Sequence, residues 1–398
     1  MLGCCAALEL AARGERVVLV EAAPELLRGA AWANEGKLHF GYVYPRDRSL
    51  ATARLMLRGA LGFAPALRRW LGDAAVDGIG RAEGFRYAVH RDSISSPEEA
   101  WTHFAGIPAL AREMLAGQRP DCFGGDPLSP PRRMSLEDCD PSMVQALFGT
   151  DEINLDNRAI ADLLRAAVAA EPRIDTLTGT RASSARLEAD AVFVTLGGLG
   201  ERRFDQVINA SWGSRLALDA TVGLAPPGQW LFRLKHLVRI RGSGLRFPAM
   251  TVTVGPFGDV APNGDELALA WYPAGRLAAS TALAPPADWP TRLEGERAQA
   301  LGRATVDGLG ALFPALLALH GSAALASAEV SGGVIFALGG SDVDDPASQL
   351  HDRHALGRRS LGRWHSVDPG KWTTCPLFAM EVAEHVAPRA WQGVRDAA

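Results

Sequence analysis

Two residues near the start of the chain are spaced for work on a bound nucleotide. Gly3 opens the small-residue run LGCCAALELAA, and Glu21 closes the short apolar stretch from Arg16 to Val20, 18 residues later. Gly3, Ala6 and Ala7 let a helix lie close on a sheet, and Gly14 ends that helix. Gly3 stands where the last glycine of G-x-G-x-x-G would stand. An acidic residue at the place of Glu21, followed here by Ala22, accepts hydrogen bonds from an adenosine ribose.

A second set follows from the cations. Of 41 basic residues only Lys37, Lys235 and Lys371 are lysines, so these three positions favour a compact ammonium over arginine. Lys37 belongs to the loop NEGKLHFGYVY, with Asn34, His39 and Tyr44. Lys371 belongs to HSVDPGKWTTCP, where Gly370 frees the backbone. The N–H groups from Lys371 through Trp372 and Thr373 to Thr374 face one anion or carbonyl there, or Thr373 or Thr374 merely caps the closing helix. A third stretch, DQVINASWGSR, runs from an apolar strand into Ala210, Ser211 and Gly213, small enough for a bulky ligand to approach the backbone. Arg239 or Arg241, with Tyr272 beside it, is the candidate holder of a substrate carboxylate. The acidic run SDVDD, Asp342 to Asp345, reads as a solvated loop, and no metal is expected.

The elements that position these residues follow from periodicity. Helices are predicted from Gly3, over Ser49 to Leu71, over Glu98 to Leu115, over Asn157 to Ala170 with Asp156 or Asn157 as cap, over Thr291 to Leu312, and near Phe378 to His385. Short strands are predicted at Ile174–Leu177, Ala191–Thr195, Gln206–Asn209 and Gly333–Ala337. Alternation with turn signals from Trp230 to Tyr272 predicts an antiparallel sheet. The fold class is therefore α/β, with an inserted α+β part.

The 398 residues carry 47% apolar and 22% charged side chains, ordinary for a globular chain long enough for two domains. A net charge of −4 without a polybasic run argues against nucleic acid, and no window is apolar enough for a membrane span. Five irregularly spaced cysteines fit a reducing cytoplasm.

Together the three stretches resemble the FAD-dependent oxidoreductases of the D-amino acid oxidase type, which include sarcosine and glycine oxidases. VINASWG is similar to the strand V-x-N-A-A-G that lines the flavin cofactor, departing at Ser211 and Trp212; DPGKWTT is similar to the loop that holds the flavin end of FAD. The resemblance implies a Rossmann-like FAD-binding domain from residues 1–50, 150–225 and 326–398, and a substrate domain from 51–149 and 226–325. It implies FAD held by Gly3, Glu21, Ala22, Asn34, Lys37, His39, Ala210, Ser211, Gly213, Gly370, Lys371, Trp372 and Thr373. It implies hydride transfer from a small amine or amino acid to flavin N5, with oxygen or another acceptor taking the electrons. Lys371 is the candidate for the charge beside the reduced ring, with Lys37 as runner-up, and His39 or Cys375 is a candidate covalent tether. The alternatives are a hydroxy-acid or polyol dehydrogenase and a non-catalytic remnant or partner subunit. The family pattern places a strand and G-x-G ahead of the position of Gly3, so weak FAD binding is expected if these are missing.

Overall fold

The computed structural model describes residues 1–82, 84–345, 347–348 and 354–388. The opening helix Leu2–Ala12 is apolar almost all round, and nine of its residues are buried. Such a helix has no solvent face and must lie between layers. It packs against the closing helix Cys375–Val386 and the helix Asn157–Ala170. Its one acid, Glu9, is fully buried and is satisfied by Arg13 at 2.9 Å, Arg69 at 2.7 Å and Trp70 at 3.1 Å.

Val17–Val20 pairs in parallel with Ile174–Leu177, and Val207–Asn209 pairs in parallel with Trp364–Asp368. Among the described residues neither Val17–Val20 nor Val207–Asn209 pairs with a second strand. Both come close to the opening helix: a Cβ on Gly3 would lie 3.5 Å from Ala210 Cβ and 3.6 Å from Leu19 Cδ1. The helix therefore starts at the carboxyl ends of both strands.

The other layer is one ten-stranded sheet. Its order is Arg292–Leu293, Glu329–Leu338, Trp230–Arg241, Glu266–Trp271, Gly258–Asn263, Met250–Thr253, Phe85–His90, Val144–Thr150 and Arg132–Met134, with Arg276–Ser280 also on Trp230–Arg241. One pair, Met250–Thr253 with Phe85–His90, is parallel. Helix Gly295–Gly310 covers one face through a core that includes Val306, Leu309 and Phe313. The opposite face carries charged groups toward the first layer.

Helix Asn157–Ala170 forms where its 3.6 period places it, and Asp156 caps it through Oδ1, which accepts from the N–H groups of Arg158 and Ala159. Two elements differ from the sequence expectation. The strand expected over Gly333–Ala337 runs over Glu329–Leu338, and it pairs with Trp230–Arg241 from Arg239↔Glu329 to Trp230↔Leu338 as part of the large sheet. Gly332 makes that close pairing possible, since a Cβ there would lie 2.1 Å from the Lys235 carbonyl oxygen. Residues 182–204 form a three-stranded antiparallel meander where a single strand was expected, turned by Gly198 and Gly200 at positive φ.

Candidate functional site

The site is a junction of three chain segments. Lys37–Leu38 pairs antiparallel with Ile153–Leu155, and Gly36 precedes it at φ +77°, where a Cβ would lie 2.0 Å from the Leu155 carbonyl oxygen. Thr373 Oγ1 accepts from the His39 N–H at 3.0 Å and donates to the Lys37 carbonyl at 3.1 Å. This ties the turn before the closing helix to strand Lys37–Leu38 and to His39 just after it. Gly370 in that turn has φ +62°, and its N–H donates to Asp368 Oδ1 at 2.9 Å. Arg215 fixes the other oxygen of Asp368 at 2.9 Å. Gly59, on helix Ala51–Leu71, lets Thr373 and Thr374 approach, since a Cβ there would lie 2.7 Å from Thr374 Cγ2. Lys37, His39, Gly370, Lys371 and Thr373, far apart in sequence, thus come together.

Sequence reasoning missed a buried acid beside them. Glu152 is fully buried; its Oε1 is 3.0 Å from His39 Nδ1 and accepts from Tyr87 OH at 2.7 Å, while Oε2 accepts from the Phe40 N–H at 2.8 Å. A carboxylate on Nδ1 fixes the tautomer and leaves Nε2 as the basic nitrogen. Burial is the largest influence on His39 and lowers its pKa; the pull of Glu152 in the other direction does not overcome it, and Lys371 and Lys37 add to the lowering. The imidazole is neutral at pH 7. The available sequence signal was an acid embedded in a stretch of strand-forming residues, LFGTDEINL.

All three lysines gather here. Lys37 Nζ is bonded to Asp259 and, at 3.0 Å, to Thr251 Oγ1. Lys235 Nζ lies 3.0 Å from Glu35 and 3.4 Å from the other oxygen of Asp259. Burial works to raise the Glu35 and Asp259 pKa values, but the two ammoniums overcome it, holding Glu35 at about 2 and Asp259 well below the usual range. Lys371 acts on His39 by its charge and lies 6.0 Å from the Tyr44 ring centroid.

The remaining predicted residues are placed as follows. Glu21 is half-buried at the end of its strand and accepts from the Ala23 N–H at 2.8 Å; Ala22 is exposed. Asn34 is used locally: its amide donates to the Ala31 carbonyl at 2.6 Å and its oxygen accepts from the Gly36 N–H at 2.7 Å. Ser211 donates to Asn209 Oδ1 at 2.6 Å, and Gly213 faces Pro285. Trp372 packs on Phe63 with ring centroids 4.6 Å apart. Cys375 is buried, its thiol 3.5 Å from the Lys371 carbonyl, and burial pushes its pKa to about 11, which disfavours the thiolate a tether would need. Arg239 and Arg241 both bind Glu266, and the Arg241 side chain is 65% exposed. Tyr272 lies six residues along from Glu266, roughly 20 Å in an extended strand. Its partners are Arg233 at 3.0 Å and Asp342 at 2.7 Å, so the arginine beside it is Arg233 rather than Arg239 or Arg241. Asp342 is buried, contrary to the solvated loop expected for the acidic run, because Arg233 and Arg276 hold it. Among the described residues no group of His, Cys, Asp and Glu is placed to hold a metal ion, and no helix is long and apolar enough to cross a membrane.

A family model described as FAD dependent oxidoreductase, DAO, matches residues 1–344. The chain belongs to this family. Glycine oxidase from Geobacillus kaustophilus superposes with a TM-score of 0.66 at 18% identity, over 97% of this chain and 91% of the other. L-α-glycerophosphate oxidase from Mycoplasma pneumoniae, solved with FAD bound, gives 0.64 at 15%, over 97% and 92%. NikD, an amino acid oxidase of nikkomycin biosynthesis, gives 0.65 at 14%, over 98% and 91%. No curated protein matches the chain.

The cofactor of this DAO-family protein is FAD, and the residues fit it. The first-turn N–H groups of the opening helix have no intrahelical acceptors, and Gly3 puts no side chain between them and the ends of two parallel strands. Glu21 directly follows one of those strands, Val17–Val20, where a carboxylate is free to accept from a ribose hydroxyl when a nucleotide is bound. Substituting Glu21→Ala should weaken FAD binding by about tenfold, the loss of one charge-assisted hydrogen-bond site. Titration of the protein with FAD, followed by flavin fluorescence, measures this; an unchanged affinity would remove Glu21 from the site.

Proposed function

We propose that this oxidoreductase removes a hydride from the carbon next to an amine, or next to a hydroxyl, in a small carboxylate-bearing substrate. FAD, when bound, supplies the hydride acceptor at flavin N5. The observation that carries the reading is the junction itself: Thr373 locks the Gly370–Thr374 turn to strand Lys37–Leu38 and to His39 after it, so the two segments that resemble flavin-lining parts lie side by side. There Lys371 and Lys37, the latter paired with Asp259, act by their charge on His39, and His39 supplies a neutral, oriented nitrogen.

The leading substrate class is an amino acid or small amine. The names of the glycine oxidase and of NikD support it. An amine needs no strong base, only to be bound unprotonated and shielded from water. The second reading, a hydroxy acid, is favoured by the His39–Glu152 pair, because oxidation of an alcohol requires a group to take the hydroxyl proton. In both readings Arg233, with Tyr272 and Arg276, is the candidate carboxylate holder, since a guanidinium and a phenol already converge there on a carboxylate.

The test begins with the visible spectrum of the purified protein before and after denaturation. Release of FAD on unfolding is the expected result. Oxygen uptake is then measured with a panel of amino acids and amines, and dye reduction with hydroxy acids. Turnover of amines supports the first reading, turnover of hydroxy acids alone supports the second, and a flavin that neither class reduces rejects both.

A further inference from the structure

Two short residue patterns meet beside the Gly370–Thr374 turn. In strand Trp364–Asp368 the side chains of Trp364, Ser366 and Asp368 share one face, because every second residue of a strand does. In helix Arg215–Thr221 the residues Arg215 and Asp219 share one face at i, i+4. The polar groups of the two faces meet and are sealed from solvent: Asp219 is 1% exposed, Arg215 2% and Asp368 6%.

Asp219 is the hub. Its Oδ1 accepts from Asn209 Nδ2 and from Trp364 Nε1, both at 2.8 Å. Its Oδ2 accepts from Ser366 Oγ at 2.5 Å and lies 3.8 Å from Arg215 Nη1. Arg215 forks from there: Nη1 donates to Ser366 Oγ at 3.3 Å, and Nη2 donates to Asp368 Oδ2 at 2.9 Å. Its guanidinium also lies 4.8 Å from the centroid of Phe336, a residue of the large sheet. At one end of this chain Asn209 Oδ1 accepts from the N–H and the hydroxyl of Ser211. At the other end Asp368 Oδ1 accepts from the Gly370 N–H at 2.9 Å. The strand end Asn209–Ser211 and the Gly370–Thr374 turn, 161 residues apart from Asn209 to Gly370, are thus joined through buried side chains.

The charge of Arg215 matters as much as its shape. One guanidinium stands between two buried carboxylates. Asp368 precedes Gly370 by two residues, so its carboxylate opposes negative charge gained by a group lying against the turn, and Arg215 offsets it.

We propose that Arg215 and Asp219 are positioning residues for the bound flavin. They hold the strand end and the turn in one register, and Arg215 cancels the Asp368 charge so that reduction of the flavin is not opposed. This rests on the reading above that the flavin lies against the Gly370–Thr374 turn.

The test is the midpoint potential of the flavin in the FAD-loaded protein, read with FAD affinity by fluorescence titration. Asp368→Asn keeps the shape and removes a negative charge, so the potential should rise. Arg215→Gln removes the positive charge, so it should fall. Each shift should be about tenfold in the ratio of reduced to oxidised flavin, the scale of one partly buried charge, or about 30 mV for a two-electron couple. Arg215→Gln/Asp368→Asn should lie near the wild type. Arg215→Lys should keep the wild-type potential but bind FAD more weakly, because the charge remains and the fork is lost. If Arg215→Gln does not fold, Asp368→Asn and the double variant decide. Shifts of the same sign in the two single variants, or no shift in Asp368→Asn, overturn the proposal and leave the chain a structural brace. Lys371→Met tests the underlying reading separately. If it lowers the potential while Asp368→Asn does nothing, the turn faces the flavin and only the positioning proposal falls. If it too changes neither potential nor FAD affinity, the turn does not face the flavin and the reading itself falls.

Discussion

Replacing His39 with glutamine should lower kcat/KM for a hydroxy-acid substrate by about 10²- to 10⁴-fold, the usual contribution of a positioned general base. For an amine substrate the same change should cost much less, because an amine bound in its unprotonated form has no hydroxyl proton to lose as the hydride leaves. The argument starts from burial. Desolvation disfavours the imidazolium, so the His39 pKa is lowered and the ring remains a free base below its ordinary value of about 6.5. Glu152 holds Nδ1 and directs the other nitrogen. The pH profile of kcat/KM should therefore lose activity on its acid side only below about pH 6.5, and His39→Gln should abolish that limb. The linkage has the same sign for stability. The unfolded chain binds the proton more readily than the folded one, so the His39 contribution is present above about pH 6.5 and declines as pH falls toward the lower folded value. Glu152→Gln should keep the ring in place but reduce its basicity, giving a smaller loss than His39→Gln. If neither substitution changes the rate or the profile with either substrate class, His39 is a packing residue.

The pair that carries this prediction was invisible in the sequence, and the reason is physical. His39 and Glu152 are separated by 113 residues, and no local pattern links them. What the sequence shows is what acts locally. The 3.6 period and the Asp156 cap place helix Asn157–Ala170 because both signals lie within the helix or beside it. Gly370 is legible as a turn because its positive φ is a local demand, and Lys371 and Thr373 follow from their place beside it. The scarcity of lysine was a global signal, and it led to Lys37, Lys235 and Lys371, which surround one site. Asp342 shows the opposite case. In sequence it is one acid in an acidic run; in the fold its partners Arg233 and Arg276, 109 and 66 residues away, bury it. The sequence marks only Gly333–Ala337 as extended, and it does not show that strand Glu329–Leu338 pairs into the large sheet, because pairing partners of strands are set by non-local register and not by composition.

Asp259→Ala should be among the most destabilising single substitutions in the chain. Asp259 is shared by two buried ammoniums, and its removal leaves Lys37 with Thr251 and Lys235 with Glu35 alone. Breaking a buried pair from one side typically costs about 3–5 kcal/mol, because the remaining charge is stranded, whereas replacing both sides with apolar groups costs far less. Asp259→Ala should therefore lower the denaturant midpoint strongly, and Lys37→Met/Asp259→Leu should recover much of the loss. The pH dependence separates this mechanism from simple loss of packing. The folded pKa of Asp259 lies well below its ordinary value, and that of Glu35 is about 2. For such depressed acids the stabilisation is complete above the unfolded values near pH 4 and is lost as pH falls through the folded ones. Wild-type stability should drop steeply below about pH 4, and Asp259→Ala should show a shallower slope over the same interval because one of the two titrating groups is gone. A parallel slope with a constant offset would mean that Asp259 contributes by volume rather than charge, and Lys37 would then lose its claim to be a fixed cation of the candidate site.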